Sequence, residues 1–143
     1  MRDERLAEAV LAEIDGLHRF FVAWFLGSCP KSRASFARVA DALAPGFVQI
    51  DPQGGERRRP ALLAVLRAAH GCRAGEDFTI RILRPKIRLV HRSLALAAYE
   101  ERQSCAGMTT RRRSSALFAP APAAPGHVAW LHLQETWIEP PPA

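Results

Sequence analysis

The chain has 143 residues, of which 48% are hydrophobic and 24% are charged. This balance is that of an ordinary globular domain, and it excludes general disorder. No apolar stretch approaches the roughly 18 residues that a membrane-spanning helix needs. Residues 1–5 have mixed charge and lack the features of a secretory signal. We therefore expect one cytoplasmic domain with no membrane partner.

The net charge is +6, and eighteen of the twenty basic residues are arginines. Together with abundant alanine and proline, this composition is typical of a GC-rich bacterial gene. Two arginine triplets, at residues 57–59 and 111–113, could attract nucleic acid. However, no recognition helix, zinc motif or aromatic RNA-binding signature accompanies them, so nucleic acid is not an expected partner.

The first part of the chain has the periodicity of helices. Residues 3–27 carry apolar side chains at spacings of three and four, with Asp3 as the expected N-cap and Gly27 as the end. A second short helix begins at Ser32 or Ser35. Pro60 suits the first turn of a third helix, which ends near residues 70–71. The apolar stripe of the first helix consists of Leu6, Val10, Ile14, Leu17, Phe21 and Trp24.

The second part of the chain alternates as strands do. A short strand at residues 47–50 precedes a turn at 51–55, and residues 78–91 alternate around Pro85, which indicates a bulge or a sheet edge. Three long strands follow at 94–104, 110–118 and 128–138. Helices followed by consecutive strands predict an α+β domain, residues 1–139, with helices packed on a curved antiparallel sheet. Residues 140–143 are an expected disordered tail.

Three segments resemble the nuclear-transport-factor-2-like superfamily, which includes SnoaL-like and ketosteroid-isomerase-like proteins. Residues 44–52 (APGFVQIDP) resemble its first strand and turn, and residues 112–118 (RRSSALF) its penultimate strand. Residues 130–137 (WLHLQETW) resemble the final strand of a branch of unknown function that carries a Trp-x-His-x-His-Glu-Thr pattern. The resemblance implies a cone-shaped half-barrel without a cofactor. It does not fix the activity, because this fold hosts isomerases, cyclases, dehydratases and non-catalytic association modules.

Within this resemblance, Asp51 in its Asp-Pro step matches the carboxylate base of ketosteroid isomerase. The oxyanion partners of that enzyme are a tyrosine and a neutral aspartate. Here the only tyrosine is Tyr99, late in the chain, and Ser114 or Ser115 stands where the aspartate would be. Steroid-type isomerisation is therefore not expected, and Asp51 has the alternative role of capping its turn.

Strand pairing predicts a polar cluster on one sheet face. If residues 105–108 close one hairpin and the proline-rich residues 119–126 the next, Glu100 lies opposite Ser114, and Ser114 lies opposite His132. In this hypothesis His132 moves protons, Arg112 holds an anionic or carbonyl oxygen, and Glu100 orients one of them. The alternatives are a buried Glu100–Arg112 ion pair and a core histidine. The remaining expected pocket residues are Trp24, Phe118, Trp130 and Gln134; no metal site is expected.

We therefore expect a domain that binds a small hydrophobic or anionic ligand, and that could be a cofactor-free isomerase, dehydratase or cyclase. The alternative is a non-catalytic association module. The opposite sheet face is predicted to expose an apolar patch of Leu117, Leu131, Leu133 and Trp137 within a charged rim of Glu101, Arg111, Arg113 and Glu135. Such an apolar patch predicts a homodimer through the outer sheet face.

Overall fold

A computed structural model describes all 143 residues. Three helices pack on a six-stranded sheet: α1 (Asp3–Leu26), α2 (Arg33–Ala40) and α3 (Arg59–Ala68). The predicted apolar stripe of α1 is buried except at Phe21, which is half-buried, and Gly27 ends the helix with a left-handed φ of 69°. The N-cap is Arg2 rather than Asp3. Asp3 lies in the first turn instead, where a carboxylate favours the helix dipole.

The two short helices begin with the expected signals. Ser32, the first of the two predicted starts, caps α2, and its hydroxyl accepts the Ser35 N–H at 3.1 Å. Pro60 occupies the first turn of α3, where its missing N–H costs no helical hydrogen bond. None of the helices is long and apolar enough to cross a membrane.

The sheet is open and mixed, in the order β2-β1-β6-β5-β4-β3. Its strands are β1 (Leu43–Ile50), β2 (Glu56–Arg58), β3 (Phe78–His91), β4 (Leu94–Cys105), β5 (Met108–Pro120) and β6 (Val128–Glu139). The α+β class with a curved sheet is as expected, except that β1 runs parallel to β6. The sequence did not predict β2, whose three residues are too short and polar to show alternation.

The segment around Pro85 has both predicted features. β3 is an edge strand, and its pairing with β4 is interrupted between Leu83 and Lys86. Arg84 adopts a φ of 50° at this interruption. The missing N–H of Pro85 is tolerated because bulges and edges leave such groups unpaired.

The predicted strand register is wrong by one residue, and this changes which side chains meet. Ala106 and Gly107, both with positive φ, form a two-residue turn in which Cys105 lies opposite Met108. Such turns suit the twist of paired strands. Glu100 consequently lies opposite Arg113, and Tyr99 lies opposite Ser114. A second irregularity lies in β6, where Trp130 pairs with Phe118 and His132 pairs with Leu117, leaving Leu131 without a partner on β5. Because of this extra residue, each side chain after Leu131 lies on the face opposite to the one that simple alternation from Trp130 predicts.

The face of the sheet that packs against α1, called here the inner face, is apolar at one end. The core there consists of side chains from α1, α2, β1 and the three long strands, including Leu6, Val10, Ile14, Val39, Phe47, Phe118 and Trp130. A buried carboxylate joins its layers. Glu13 of α1 accepts two hydrogen bonds from Arg38 of α2, at 2.7 and 3.1 Å, and one from the Trp130 indole at 2.9 Å.

Candidate functional site

The inner face is polar at its other end. Tyr99, Ser114 and Glu135 lie opposite one another across β4, β5 and β6. The next row is formed by Glu101, Arg112 and Trp137. We define the inner polar cluster as His18, Gln49, Tyr99, Glu101, Arg112, Ser114 and Glu135. His18 belongs to α1, and the other members belong to β1, β4, β5 and β6.

His18 and Glu101 form a buried ion pair in this cluster. His18 Nε2 lies 3.0 Å from Glu101 Oε1, and Nδ1 lies 2.7 Å from the Ile14 carbonyl oxygen. Both neighbours are acceptors, so both ring nitrogens carry protons and the imidazole is charged. Burial works against this charge, but the charge and hydrogen bond of Glu101 raise the pKa of His18 above 6.5. Burial also opposes ionisation of Glu101, but His18 lowers the pKa of that carboxyl to about 2.

A second ion pair joins Arg112 to Glu135. The Arg112 Nη1 donates to Glu135 Oε2 at 3.2 Å, and Gln49 Nε2 donates to Glu135 Oε1 at 2.9 Å. The guanidinium also lies over the Trp137 ring, 4.8 Å from its centre. Burial raises the pKa of Glu135. The positive charge of Arg112 opposes this shift, and the negative charge of the nearby Glu101 adds to it.

Two polar atoms of the cluster, Arg112 Nε and Gln49 Oε1, are buried without a hydrogen-bond partner. The buried hydroxyls of Tyr99 and Ser114 have no partner other than each other. Burial raises the pKa of Tyr99 well above its ordinary value, so its hydroxyl keeps its proton and can donate it in a hydrogen bond. Unpartnered buried polar atoms are rare in proteins, so the inner polar cluster differs in this respect from the rest of the core.

A cavity of about 480 Å³ opens beside this cluster. Gln103, Thr110, Arg112 and Trp137 line its inner-face side, and Phe78 lines another. The C-terminal Pro141 and Pro142, which lie in the expected disordered tail, also line it. The volume is in the range of small-molecule sites. Arg112 is therefore the residue that connects the polar cluster to an accessible space.

The structure does not assemble the predicted group of His132, Glu100 and Arg112. Arg112 lies on the inner face, whereas Glu100 is on the outer face, where Arg111 donates to both of its carboxylate oxygens at 2.8 and 3.0 Å. His132 lies opposite Leu117 and Gln134 opposite Ser115, also on the outer face. The pairing of β4 with β5 is shifted by one residue from the prediction, and that of β5 with β6 by three, so that Ser114 lies opposite Glu135 rather than His132. These two shifts account for the corrections.

Other predicted site residues have structural contacts. Asp51 Oδ1 accepts the backbone N–H groups of Gln53 and Gly55 at 3.0 and 2.9 Å, so its position is that of a turn cap. Trp24 is buried, and its indole donates to the Leu66 carbonyl oxygen at 2.7 Å. Phe118 and Trp130 form part of the apolar floor, with ring centres 4.4 Å apart. Of the predicted pocket residues, Ser114 alone belongs to the inner polar cluster.

The sequence interpretation missed His18, Glu101 and Glu135. His18 follows Ile14 by one helical turn and therefore shares the buried stripe of α1, a signal that was available. Glu101 and Glu135 had been expected on the outer face. Nowhere in the structure do three His, Cys, Asp or Glu side chains converge as metal ligands would.

No protein-family model and no curated protein matches this chain. Solved structures do resemble it. An NTF-2 like protein of unknown function from Pseudomonas aeruginosa is 26% identical, with a TM-score of 0.79 over 90% of this chain and 98% of that one. An NTF2-like protein from Cytophaga hutchinsonii is 12% identical, with a TM-score of 0.64 over 96% and 100% of the two chains. The CaMKII hub of S. rosetta is 14% identical, with a TM-score of 0.66 over 92% and 95%. The expected resemblance is thus confirmed at the level of the fold.

Proposed function

We propose that this chain, which has the NTF2-like fold, binds a small organic molecule that carries a carboxylate or carbonyl oxygen. The supporting observation is that Arg112, whose Nε–H is buried without a partner, extends from the inner polar cluster to the wall of the inner-face cavity. This N–H costs free energy while it has no acceptor. A ligand oxygen that accepts its hydrogen bond recovers that cost on binding.

The geometry indicates how such a ligand would lie. The Arg112 Nε–H is a donor for a carboxylate or carbonyl oxygen. Gln103 and Thr110, which line the same cavity, carry further polar groups for a hydroxyl or N–H on the same molecule. Trp137, already in contact with Arg112, offers a flat apolar surface for the carbon part of the ligand.

Binding is better supported than proton transfer. His18 donates through both ring nitrogens and has no free lone pair with which to take a proton from a ligand. If the chain is also a cofactor-free isomerase, dehydratase or cyclase, Glu135 is the group to test. Its pKa is raised in the direction that a proton-transfer carboxyl needs, mainly because it is buried.

A matched pair of arginine variants tests the binding proposal. A thermal-shift screen of small carboxylates and ketones identifies a ligand, and calorimetry measures its affinity for wild type, Arg112→Gln and Arg113→Gln. We expect Arg112→Gln to weaken binding by about tenfold or more, because a charge-assisted hydrogen bond is lost. Arg113 is adjacent but lies on the outer face, so Arg113→Gln should bind normally. Equal losses in the two variants, or no stabilising compound in a broad screen, would refute the proposal.

Self-association through the outer face is a second candidate function. Leu89, Leu96 and Leu117 lie opposite one another on β3, β4 and β5, and His132 and Val48 continue the row on β6 and β1. One of the similar structures is described as a hub. Leu133 and Trp137, expected on this face, instead lie on the inner face, so the apolar patch is narrower than predicted.

Sedimentation at low micromolar concentration tests this candidate. We expect wild type to be a dimer and Leu96→Arg to be a monomer, because an arginine placed in an apolar interface is buried without a partner. Val65→Arg is the control, since Val65 is exposed on α3, away from the sheet. A monomeric wild type, or a Leu96→Arg variant that still dimerises, would exclude this interface.

A further inference from the structure

A second cavity, larger than the one beside the inner polar cluster, lies outside that cluster. It is a cleft of about 750 Å³ between α2, α3 and the end of α1, called here the helical cleft. Trp24, Phe36 and Leu63 line it as apolar side chains that are otherwise buried. None of its lining residues belongs to the inner polar cluster or to the cavity beside that cluster.

Two of the four α2 residues that line the cleft are alanines, Ala37 and Ala40, whose short side chains leave space between α2 and α3. Arg59 is fixed at one end, donating to the carbonyl oxygens of Leu43 and Ala40 at 3.2 and 2.6 Å. The volume lies within the range of about 300–1,000 Å³ that small-molecule sites occupy.

The rim of the helical cleft is strongly cationic. Lys31, Arg33 and Arg67 join Arg59 there, and Asp41 is the single carboxylate. Lys31, Arg33 and Arg67 form no salt bridge with any carboxylate of the chain. The Arg67 guanidinium lies over the Phe36 ring, 4.6 Å from its centre, so one rim cation touches the apolar floor. Unneutralised like charges around a concave site raise the local concentration of anions.

We infer that the helical cleft is a second ligand site, and that it takes an amphipathic organic anion. The apolar part of such a molecule lies on Trp24, Phe36 and Leu63, and its carboxylate lies among the arginines of the rim. An apolar floor with a few convergent polar groups is the usual composition of a ligand site. This inference does not depend on the proposed function, because the two sites share no residue.

Calorimetry with three ten-carbon probes tests the chemistry: decanoate, decanol and decylamine. All three offer the same chain to the floor, and only decanoate complements the rim. We expect decanoate to bind at least about tenfold more tightly than the other two, with the difference shrinking as salt screens the rim. Equal affinity for the three probes would overturn the assignment of an anion site.

Variants locate the binding. Ala37→Phe fills the cleft without changing its charge, and we expect it to abolish decanoate binding. Arg33→Gln combined with Arg67→Gln should weaken binding by about tenfold while the fold is retained, since both side chains are exposed. Arg88→Gln, an exposed cation on β3, is the charge-matched control and should change nothing. If Arg112→Gln lowers decanoate affinity and Ala37→Phe does not, the probe occupies the inner-face cavity and the inference is wrong.

Discussion

Replacing Glu13 with alanine is expected to lower the free energy of unfolding by about 3–5 kcal/mol, the usual cost of breaking a buried ion pair. The carboxylate is fully buried and accepts from Arg38 through both oxygens and from the Trp130 indole. Its removal leaves a guanidinium and an indole N–H without their acceptor. Because these donors belong to α2 and β6, the substitution removes hydrogen bonds that hold the helices against the sheet.

Denaturant unfolding measures this effect, and Glu8→Ala is the matched control. Glu8 is an exposed carboxylate on the same helix, so its replacement should stay within about 0.5 kcal/mol of wild type. A double variant, Glu13→Leu with Arg38→Met, removes both charges. It should be less destabilised than Glu13→Ala, since no buried charge is left unpaired. A Glu13→Ala variant as stable as Glu8→Ala would show that this pair does not hold the layers together.

The helices and long strands could be predicted because their signals are local. The α1 stripe, Gly27 and Ser32 each act within one or two turns, and the structure confirms them. The N-cap of α1 could not be predicted, because Asp3 has the side chain that usually caps a helix whereas Arg2 occupies the cap without a side-chain hydrogen bond. β2 could not be predicted, because three polar residues become a strand only by pairing with β1.

The candidate site was less predictable because it depends on register. An apolar floor with a polar end was expected on one sheet face, and the inner face has that character. However, the two-residue turn at Ala106 and Gly107 requires Cys105 to pair with Met108, one residue away from the predicted pairing. With this register Tyr99 and Glu101 lie on the inner face, and Glu100 lies on the outer face. A two-residue turn with glycine second was a signal for that register. The irregularity in β6 had no comparable signal in the sequence.

The contact between His18 and Glu101 depends on tertiary packing. Glu101 is far along the chain, and only the packing of α1 across β4 brings the two side chains within 3.0 Å. The sequence places His18 on the buried stripe, and burial alone disfavours a charged imidazole. The charge of His18 therefore depends on a contact that no local pattern reports.

Replacing Glu101 with glutamine is expected to destabilise the protein by about 3 kcal/mol near pH 6 and to reverse its pH dependence. In wild type the pKa of His18 is raised above 6.5. Its contribution to the free energy of unfolding is therefore full below pH 6.5 and is lost as the pH rises through the raised pKa. The pKa of Glu101 is lowered to about 2, so its contribution is full above pH 4.5 and is lost as the pH falls toward 2. Both contributions are therefore complete between pH 4.5 and 6.5.

Without the Glu101 charge, burial controls His18 and lowers its pKa, so the stability of the variant should fall as the pH drops below 6.5. Glu135 does not produce this reversal, because its raised pKa makes stability fall as the pH rises above 4.5. Urea unfolding from pH 5 to 8 measures the slopes, and Glu100→Gln is the control. Glu100 pairs with Arg111 on the outer face, so its loss should leave the decline above pH 6.5 unchanged. If Glu101→Gln keeps that decline, His18 is not the titrating group, and the charged pair assigned to the inner polar cluster is wrong.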